Sequence, residues 1–213
     1  MNKVQKTLLV EAKNNIETDP VYARELLNEV LSAEEEDKVE LKKLGIKELK
    51  RSLTLEDIKN HAPWLLKAKI KDAVLSYDVN FMVISWDGGT WEDGTWEDDQ
   101  VRWKDGTWKK GVWKGGTWEG GTWLNGTWEN GYWEGGTWKN GTWKDGYWLN
   151  YLDNSVWEKG TWKDGLWNGG VWLQGIWEKG LWQDGTWKTG TWETGEIWNK
   201  AIKGYKKSTE PPK

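Results

Sequence analysis

The chain has 213 residues, enough for one or two ordinary domains, but 23 of them are Trp, 26 are Gly and only one is Phe. The absence of Cys excludes disulfides, thiol nucleophiles and thiolate metal sites, and a net charge of −4 is not that of a typical nucleic-acid-binding protein. No run approaches the roughly 18 apolar residues of a membrane span, and the N-terminus lacks the apolar core of a signal peptide.

Residues 1–62 predict a helical domain. Asp19, which precedes a proline, predicts the N-cap of a second helix after a first one near the N-terminus. The acidic run at 34–37 predicts the first turn of a third helix that ends at Gly45, and it fits that role better than a metal site. A T-x-x-D pattern at 54–57 predicts a short, capped fourth helix.

A five-residue phrase, [T/V/Y/L/I]-W-x-x-G, recurs through residues 86–199 and gives 22 repeats. An α-helix is excluded, because Trp at period five would step around the helix axis and Gly recurs in every repeat. The residue before each Trp favours β structure, and the two residues at the end of each phrase are typical of turns. Each repeat therefore predicts about three strand residues and a turn.

Two β architectures fit this pattern. In an antiparallel meander, Asn-Gly and Asp-Gly form hairpin turns, all indoles lie on one face, and the sheet folds at the gap of residues 149–156. In a solenoid, each repeat is one side of a coil and each Trp points inward, so the chain closes its own core. With four repeats per turn, 22 repeats would give about five and a half coils.

The segment before the first repeats spaces its apolar residues similarly, as Ala68-x-Ile70, Ala73-x-Leu75 and Val79-x-Phe81. Residues 66–198 therefore resemble the pentapeptide-repeat family, whose pattern is A-[DN]-[LF]-x-x. The resemblance implies a quadrilateral right-handed β-helix, with Gly and Trp in this chain replacing the small residue and the Leu or Phe. The GTW-x-x-G array also resembles repeats of uncharacterised tailed-phage proteins, which implies a phage origin.

Nothing in the sequence predicts catalysis. His61 is the only histidine, and the glycine pairs lack the strand-to-helix context of a phosphate-binding loop. We therefore predict no catalytic, cofactor-binding or metal site. Six acidic residues occur close together at the start of the array, where solubilising turns are a better interpretation than a calcium site. These residues are Asp87, Glu92, Asp93, Glu97, Asp98 and Asp99.

We predict an α+β protein with a helical domain (1–62), a transition or cap (63–85), a Trp-rich β-solenoid (86–199) and a flexible basic tail (200–213). The net charge is −1 over residues 1–85, −7 over residues 86–199 and +4 in the tail. The meander is the alternative fold. The predicted core comprises Trp91, Trp108, Trp118, Trp128, Trp138, Trp143, Trp162, Trp172, Trp182 and Trp192.

The residue before Trp becomes apolar from Val156 onward, and Tyr stands there twice before it. If that position points outward, these residues form a surface for a partner. The predicted surface comprises Tyr132, Tyr147, Leu166, Val171, Ile176 and Leu181.

The function that these observations favour is a non-enzymatic structural or protein-interaction protein of phage origin. The Trp-cored rod would be a scaffold and the helical domain a docking module. Its partner would be a virion protein, a host protein or a second copy of the chain, in the cytoplasm or a virion, and neither a membrane nor a nucleic acid. The alternatives are a carbohydrate-binding module that displays its Trp and an acidic DNA mimic that inhibits a nucleic-acid enzyme.

Overall fold

The computed structural model describes residues 3–78, 80–97, 101–151 and 153–213. Three residues discussed above, Val79, Asp98 and Asp99, lie outside these ranges. The described chain begins with a helical region, continues into a small β cap, and then winds into a long β-solenoid. The predicted fold class, helices followed by a Trp-cored β-solenoid, is confirmed.

Two helices, α1 (Lys3–Asn15) and α2 (Pro20–Lys43), form a hairpin. The side chain of Asp19 caps α2 by accepting a hydrogen bond from the Tyr22 amide at 3.0 Å. The helix runs unbroken through residues 34–37, so the prediction of a separate third helix is wrong. The acidic run contains no helix breaker, and its charges remain in solvent in the middle of α2.

The cap follows, and it consists of β1 (Ile46–Lys50), α3 (Leu55–His61), a 3₁₀-helix (Pro63–Lys67), β2 (Lys69–Asp78) and β3 (Val83–Asp93). Because β1 pairs in parallel with β2, residues 1–62 are not purely helical as predicted. The capping box predicted at 54–57 is present at the start of α3.

Strand β2 does not form solenoid sides, although its spacing resembles that of the repeats. It runs antiparallel to β3, with Leu75 opposite Trp86 and Ile70 opposite Trp91. Residues 69–78 therefore cover the first coil, and their apolar side chains close the base of the core. The indole of Trp64 completes this cover, because its ring centroid lies 4.9 Å from that of Trp96.

The remaining strands are short, and most contain only Trp and the residue before it. They are β4 (Thr95–Trp96), β5 (Val101–Trp103), β6 (Thr107–Trp108), β7 (Val112–Trp113), β8 (Thr117–Trp118), β9 (Thr122–Trp123), β10 (Thr127–Trp128), β11 (Tyr132–Trp133), β12 (Thr137–Trp138), β13 (Thr142–Trp143), β14 (Tyr147–Leu149), β15 (Val156–Trp157), β16 (Thr161–Trp162), β17 (Leu166–Trp172), β18 (Ile176–Trp177), β19 (Leu181–Trp187), β20 (Thr191–Trp192), β21 (Gly195–Asn199) and β22 (Gly204–Ser208).

The pairing of these strands shows a three-sided coil. Strand β5 pairs in parallel with β8, β6 with β9, and β7 with β10, so the register repeats every 15 residues, or three repeats. The quadrilateral cross-section is therefore wrong, and the array makes about seven coils instead of five and a half. Parallel pairing between successive coils also excludes the antiparallel meander.

Three indoles fill each layer of the core. Neighbours along the chain meet edge to face, as Trp108 and Trp113 do with centroids 5.9 Å apart and planes at 73°. Indoles one coil apart stack in parallel, and Trp113 lies 4.9 Å from Trp128 at an angle of 6°. Each indole contacts its neighbour on the side before and on the side after and stacks on the rings of adjacent coils, so three indoles per coil fill the cross-section and the coil is a triangle.

The array contains 21 core tryptophans instead of 22. In the last coil, β21 places Ile197 opposite Trp182, so Ile197 occupies the core position. Trp198 lies on the other side of the strand and contacts the ring of Tyr205 edge to face. Strand β22 pairs antiparallel with β21, so part of the segment predicted to be a flexible tail is instead the C-terminal cap.

Successive coils are joined by two backbone hydrogen bonds per side. The residue after Trp donates to the Trp carbonyl one coil earlier, as Glu129 does to Trp113 at 2.7 Å. The residue after Gly donates to the Gly carbonyl one coil earlier, as Thr127 does to Gly111 at 2.9 Å. The glycines therefore stack in columns along the corners of the rod.

The irregular segment between Trp148 and Trp157 is a loop that leaves one corner and returns in register. Ser155 takes the glycine position in its column, and its carbonyl accepts from Val171 at 3.0 Å. Its hydroxyl donates to the Leu149 carbonyl at 2.8 Å, while its amide donates to the Asn150 side chain at 2.9 Å. The coil thus passes from face to face across the gap in the usual order, because Trp148 stacks in the column of Trp133 and Trp157 in the next column, on Trp138.

Candidate interaction surface

The residue before each core Trp points to the outside of the rod, because side chains alternate along a strand and the indole points inward. We number the three sides as face 1, face 2 and face 3, which carry the stacks that begin at Trp86, Trp91 and Trp96 respectively. On each face, the outward residues form a row parallel to the rod axis.

Face 1 brings together four of the six predicted surface residues. Tyr132 pairs with Tyr147, Tyr147 with Leu166, and Leu166 with Leu181, each in the next coil. We call these four residues the Tyr–Leu row. The two tyrosine rings stack with centroids 5.1 Å apart and planes at 10°, and they are 49% and 46% exposed. Leu166 and Leu181 are partly exposed.

The other two predicted surface residues lie elsewhere. Val171 is on face 2, where it pairs with Val156, and Ile176 is on face 3, where it pairs with Thr161. The sequence could not separate these sets, because assigning a residue to a face requires the number of sides per coil. With four sides, Tyr132 and Tyr147 would have been assigned to different faces.

Toward the N-terminus, the Tyr–Leu row is bounded by a charged cluster. The Arg102 guanidinium lies over the ring of Phe81, 4.2 Å from its centroid, and donates to Glu119 at 2.7 Å. Glu134, beside Tyr132, is partly buried, and burial raises the pKa of its carboxyl above the ordinary value. Toward the C-terminus, the Tyr205 hydroxyl donates to the Gln183 side chain at 3.1 Å.

Faces 2 and 3 carry more charged side chains than the part of face 1 that holds the Tyr–Leu row. Lysine or glutamate follows Trp in most coils of these faces and pairs between coils, as Lys109 does with Glu92 on face 2 and Lys144 with Glu129 on face 3. Leu124 and Leu173 are the exceptions, both on face 2. Such exposed pairs keep the rod soluble and stabilise it little. They also interrupt any continuous negative surface, which is unfavourable for the DNA-mimic alternative.

All ten predicted core tryptophans are buried, and only Trp182 and Trp192 have any measurable exposure. A carbohydrate-binding surface made of exposed Trp would need these rings in solvent. The carbohydrate-binding alternative therefore lacks the row of exposed Trp that it requires. The stacked aromatic pair exposed on face 1 is Tyr132 with Tyr147.

No site for a metal or a catalytic group was identified in the described parts of the chain. The described residues contain no cluster of three or more potential metal ligands, and the predicted Asp98 and Asp99 lie outside them. His61 is exposed in the last turn of α3. Together with Arg51 and Tyr77, it lines an open cavity of about 430 Å³ at the N-terminal end of face 1.

Sequence reasoning missed two components of the surface. Phe81 belongs to the turn between β2 and β3 and reaches face 1 through Arg102, while Tyr205 reaches it from β22. The five-residue pattern placed Phe81 at an inward position, which is wrong because its side chain is 57% exposed, and the pattern does not include Tyr205, so neither was predicted for the surface. The helical hairpin carries a second set of exposed apolar side chains, namely Leu9, Val10, Ile16, Val21, Leu31 and Val39.

Comparisons with protein-family models, with curated proteins and with solved structures found no match to this chain. The five-residue spacing with Trp in the repeat position is consistent with pentapeptide-like repeats. No helix within the described ranges combines the length and the apolar character that crossing a membrane requires.

Proposed function

We propose that this chain is a non-enzymatic scaffold protein that binds another protein chain through face 1 of its solenoid. The observation that supports this best is the Tyr–Leu row, four large side chains in consecutive coils on one rigid face. Aromatic and aliphatic side chains in contact with solvent, bounded by charged residues, are typical of protein interfaces.

The rod is suited to such a role because its outer surface is independent of its core. Every coil is held by three buried indoles and by backbone hydrogen bonds, so outward residues can vary without loss of packing. Stacked rings such as Tyr132 and Tyr147 bind with little loss of side-chain entropy, because they are already ordered by each other.

The helical hairpin is proposed as a second docking module. Helices α1 and α2 bury few large side chains between them, and apolar residues such as Leu31, at 61% exposure, face solvent. A two-helix hairpin of this kind gains stability when a further element covers it. A virion or host partner and a phage origin for the chain remain predictions from the repeat pattern.

A photo-crosslinking residue at position 147 tests the role of face 1 in the cells from which the chain comes. We expect it to capture a defined protein chain, because Tyr147 lies at the centre of the row. The matched control places the same residue at Thr142, in the same coil on face 3. Equal capture from both positions, or capture from neither, would contradict the proposal.

A further inference from the structure

We propose that the Tyr–Leu row binds the same row of a second copy of this chain, with the two rods antiparallel. This inference rests on the proposed function and names the partner for face 1. The two-fold axis would pass between Tyr147 and Leu166, so that Tyr147 faces Leu166 of the second copy and Tyr132 faces its Leu181.

The first argument is the spacing of the row. Its side chains repeat at the coil spacing, and the rings of Tyr132 and Tyr147 are 5.1 Å apart. Side chains of a partner can face one residue of the row in every coil only if the partner repeats at the same distance. A second copy has this spacing by construction, whereas an extended strand alternates its side chains at a different interval.

The second argument is the order of side chains in the row. Two tyrosines are followed by two leucines, so rotation about the proposed axis places each planar ring against a branched aliphatic side chain. A parallel arrangement would place rings against rings and leave the leucines opposite each other. The antiparallel pairing is therefore self-complementary in shape and uses the entire row.

The third argument is charge. The residues after Trp in the same four coils flank the row, and they are Glu134, Leu149, Asn168 and Gln183. The proposed axis places Glu134 near Gln183 of the second copy, and Leu149 near Asn168, so no like charges meet. In a parallel pairing the two-fold axis would run along the rods and place the two flanking rows on opposite sides of the Tyr–Leu row, so these contacts would not form.

Faces 2 and 3 do not offer this fit. Their flanking rows carry Lys or Glu in most coils, and these charges already pair along the rod. On face 1, the contact is bounded by Arg102 toward the N-terminus and by Tyr205 toward the C-terminus. The contact therefore extends over about four coils, or roughly 15–20 Å.

A contact of this length buries less surface than a standard interface, which buries about 800 Å² per partner. We therefore expect a weak dimer with a dissociation constant between about 1 and 100 μM. Sedimentation velocity of the full chain across this range tests it. The wild-type protein should shift from monomer to dimer, and Tyr147→Asp should raise the dissociation constant at least tenfold. Thr142→Asp, with the same added charge on face 3, should leave it unchanged.

The geometry has a separate test, because the chain contains no Cys and single cysteines can be introduced without background. A mixture of the Tyr132→Cys and Leu181→Cys proteins should crosslink with a short bismaleimide more than either protein alone. Preferential crosslinking of Tyr132→Cys to itself would overturn the antiparallel arrangement.

These outcomes separate the inference from the function on which it rests. A wild-type chain that stays monomeric at 100 μM, or a Thr142→Asp effect equal to that of Tyr147→Asp, overturns the dimer. If the crosslinker at position 147 then captures a different protein, face 1 remains an interaction surface and only its partner was misassigned. If it captures nothing, the proposed function fails as well.

Discussion

The glycine at each corner of the coil lies against the glycine of the preceding coil. At Gly126 the backbone has a φ of +131°, and a Cβ there would lie 2.5 Å from the Gly111 carbonyl oxygen and 3.2 Å from the Trp108 indole nitrogen. Glycine is therefore required both by the backbone conformation and by the contact between coils. The sequence predicted a turn at these positions, but not that the turns stack.

Gly126→Ala should therefore destabilise the solenoid by about 2–3 kcal/mol, since the new methyl group meets backbone atoms that cannot move aside. Urea unfolding followed by circular dichroism measures the change. Gly88→Ala is the matched control, because a Cβ at Gly88 would have no atom within 4 Å, and its effect should be within about 0.5 kcal/mol. Equal effects of the two substitutions would contradict the stacked corner.

Asp78 joins the cap to the solenoid. Its carboxylate accepts from Lys104 at 2.8 Å and from the Asn80 amide at 3.0 Å, and the bond from Lys104 is the main reason that the pKa of this carboxyl is lowered. A lowered pKa in the folded state means that folding favours the ionised form. The stabilisation is thus present above the ordinary pKa of about 4 and is lost as the pH falls through the lower folded value.

Asp78→Asn should consequently lower the urea midpoint at pH 7, and the difference from wild type should shrink as the pH drops below about 4. Asp105→Asn is the control, because the exposed Asp105 side chain accepts only from the adjacent Gly106 amide, a bond that Asn can also accept. A difference for Asp78→Asn that stays constant down to pH 2 would show that its ion pair does not stabilise the fold.

At the scale of the coil, the inward direction of Trp could be predicted, whereas the number of sides could not. A period of five residues with a turn in each repeat fits any closed polygon, so the choice of four sides came from the family resemblance. The structure has three because the volume of the indole sets the cross-section: within one coil the ring of Trp108 already contacts those of both Trp103 and Trp113.

The core tryptophans differ in whether their indole N–H groups have a hydrogen-bond acceptor. In the described part of the chain, four donate to a carbonyl in the next coil, as Trp103 does to Gly120 at 3.1 Å, and Trp192 donates to Ser208 of the C-terminal cap. Among the described residues, most of the others are buried without a hydrogen-bond partner, and Trp108 and Trp128 are two of them. Each such N–H reduces the stability gained by burying its ring, so the net contribution of Trp to this core is smaller than its area suggests.

Trp128→Ala removes one ring from the middle of a stack and should destabilise the fold by about 3–5 kcal/mol, because the rigid coils above and below cannot close the cavity. Near-UV circular dichroism should lose part of the signal of the coupled, stacked indoles. Trp198→Ala provides the comparison, since Trp198 lies outside the core, and it should have a much smaller effect on both measurements. Similar losses from the two would be inconsistent with a stacked core.

At the scale of the whole molecule, the rod is closed at both ends. Strand β2 with Trp64 covers the first coil, and β22 pairs with β21 over the last, where the Trp192 indole donates to the Ser208 carbonyl at 3.1 Å. Terminal repeats of a solenoid need such covers to stay soluble. The sequence did not predict the C-terminal cap, because residues 200–213 carry charge and no repeat.

Burial of the indoles makes a prediction for the intact protein in solution. Its tryptophan emission should be blue-shifted and weakly quenched by acrylamide, because 21 of the 23 rings are buried. Emission of the urea-unfolded chain, in which all rings contact water, supplies the reference. A folded protein whose emission is already as red-shifted and as quenchable as that reference would contradict the Trp core.

The register of 15 residues also has a genetic consequence. Gain or loss of fifteen codons within the array lengthens or shortens the rod by one coil and leaves all three faces in line. Gain or loss of only five codons keeps the core intact but turns everything downstream by a third of a turn. Between Tyr132 and Leu181, such a change would divide the Tyr–Leu row between two sides of the rod, so a protein that folds normally would lose its continuous surface.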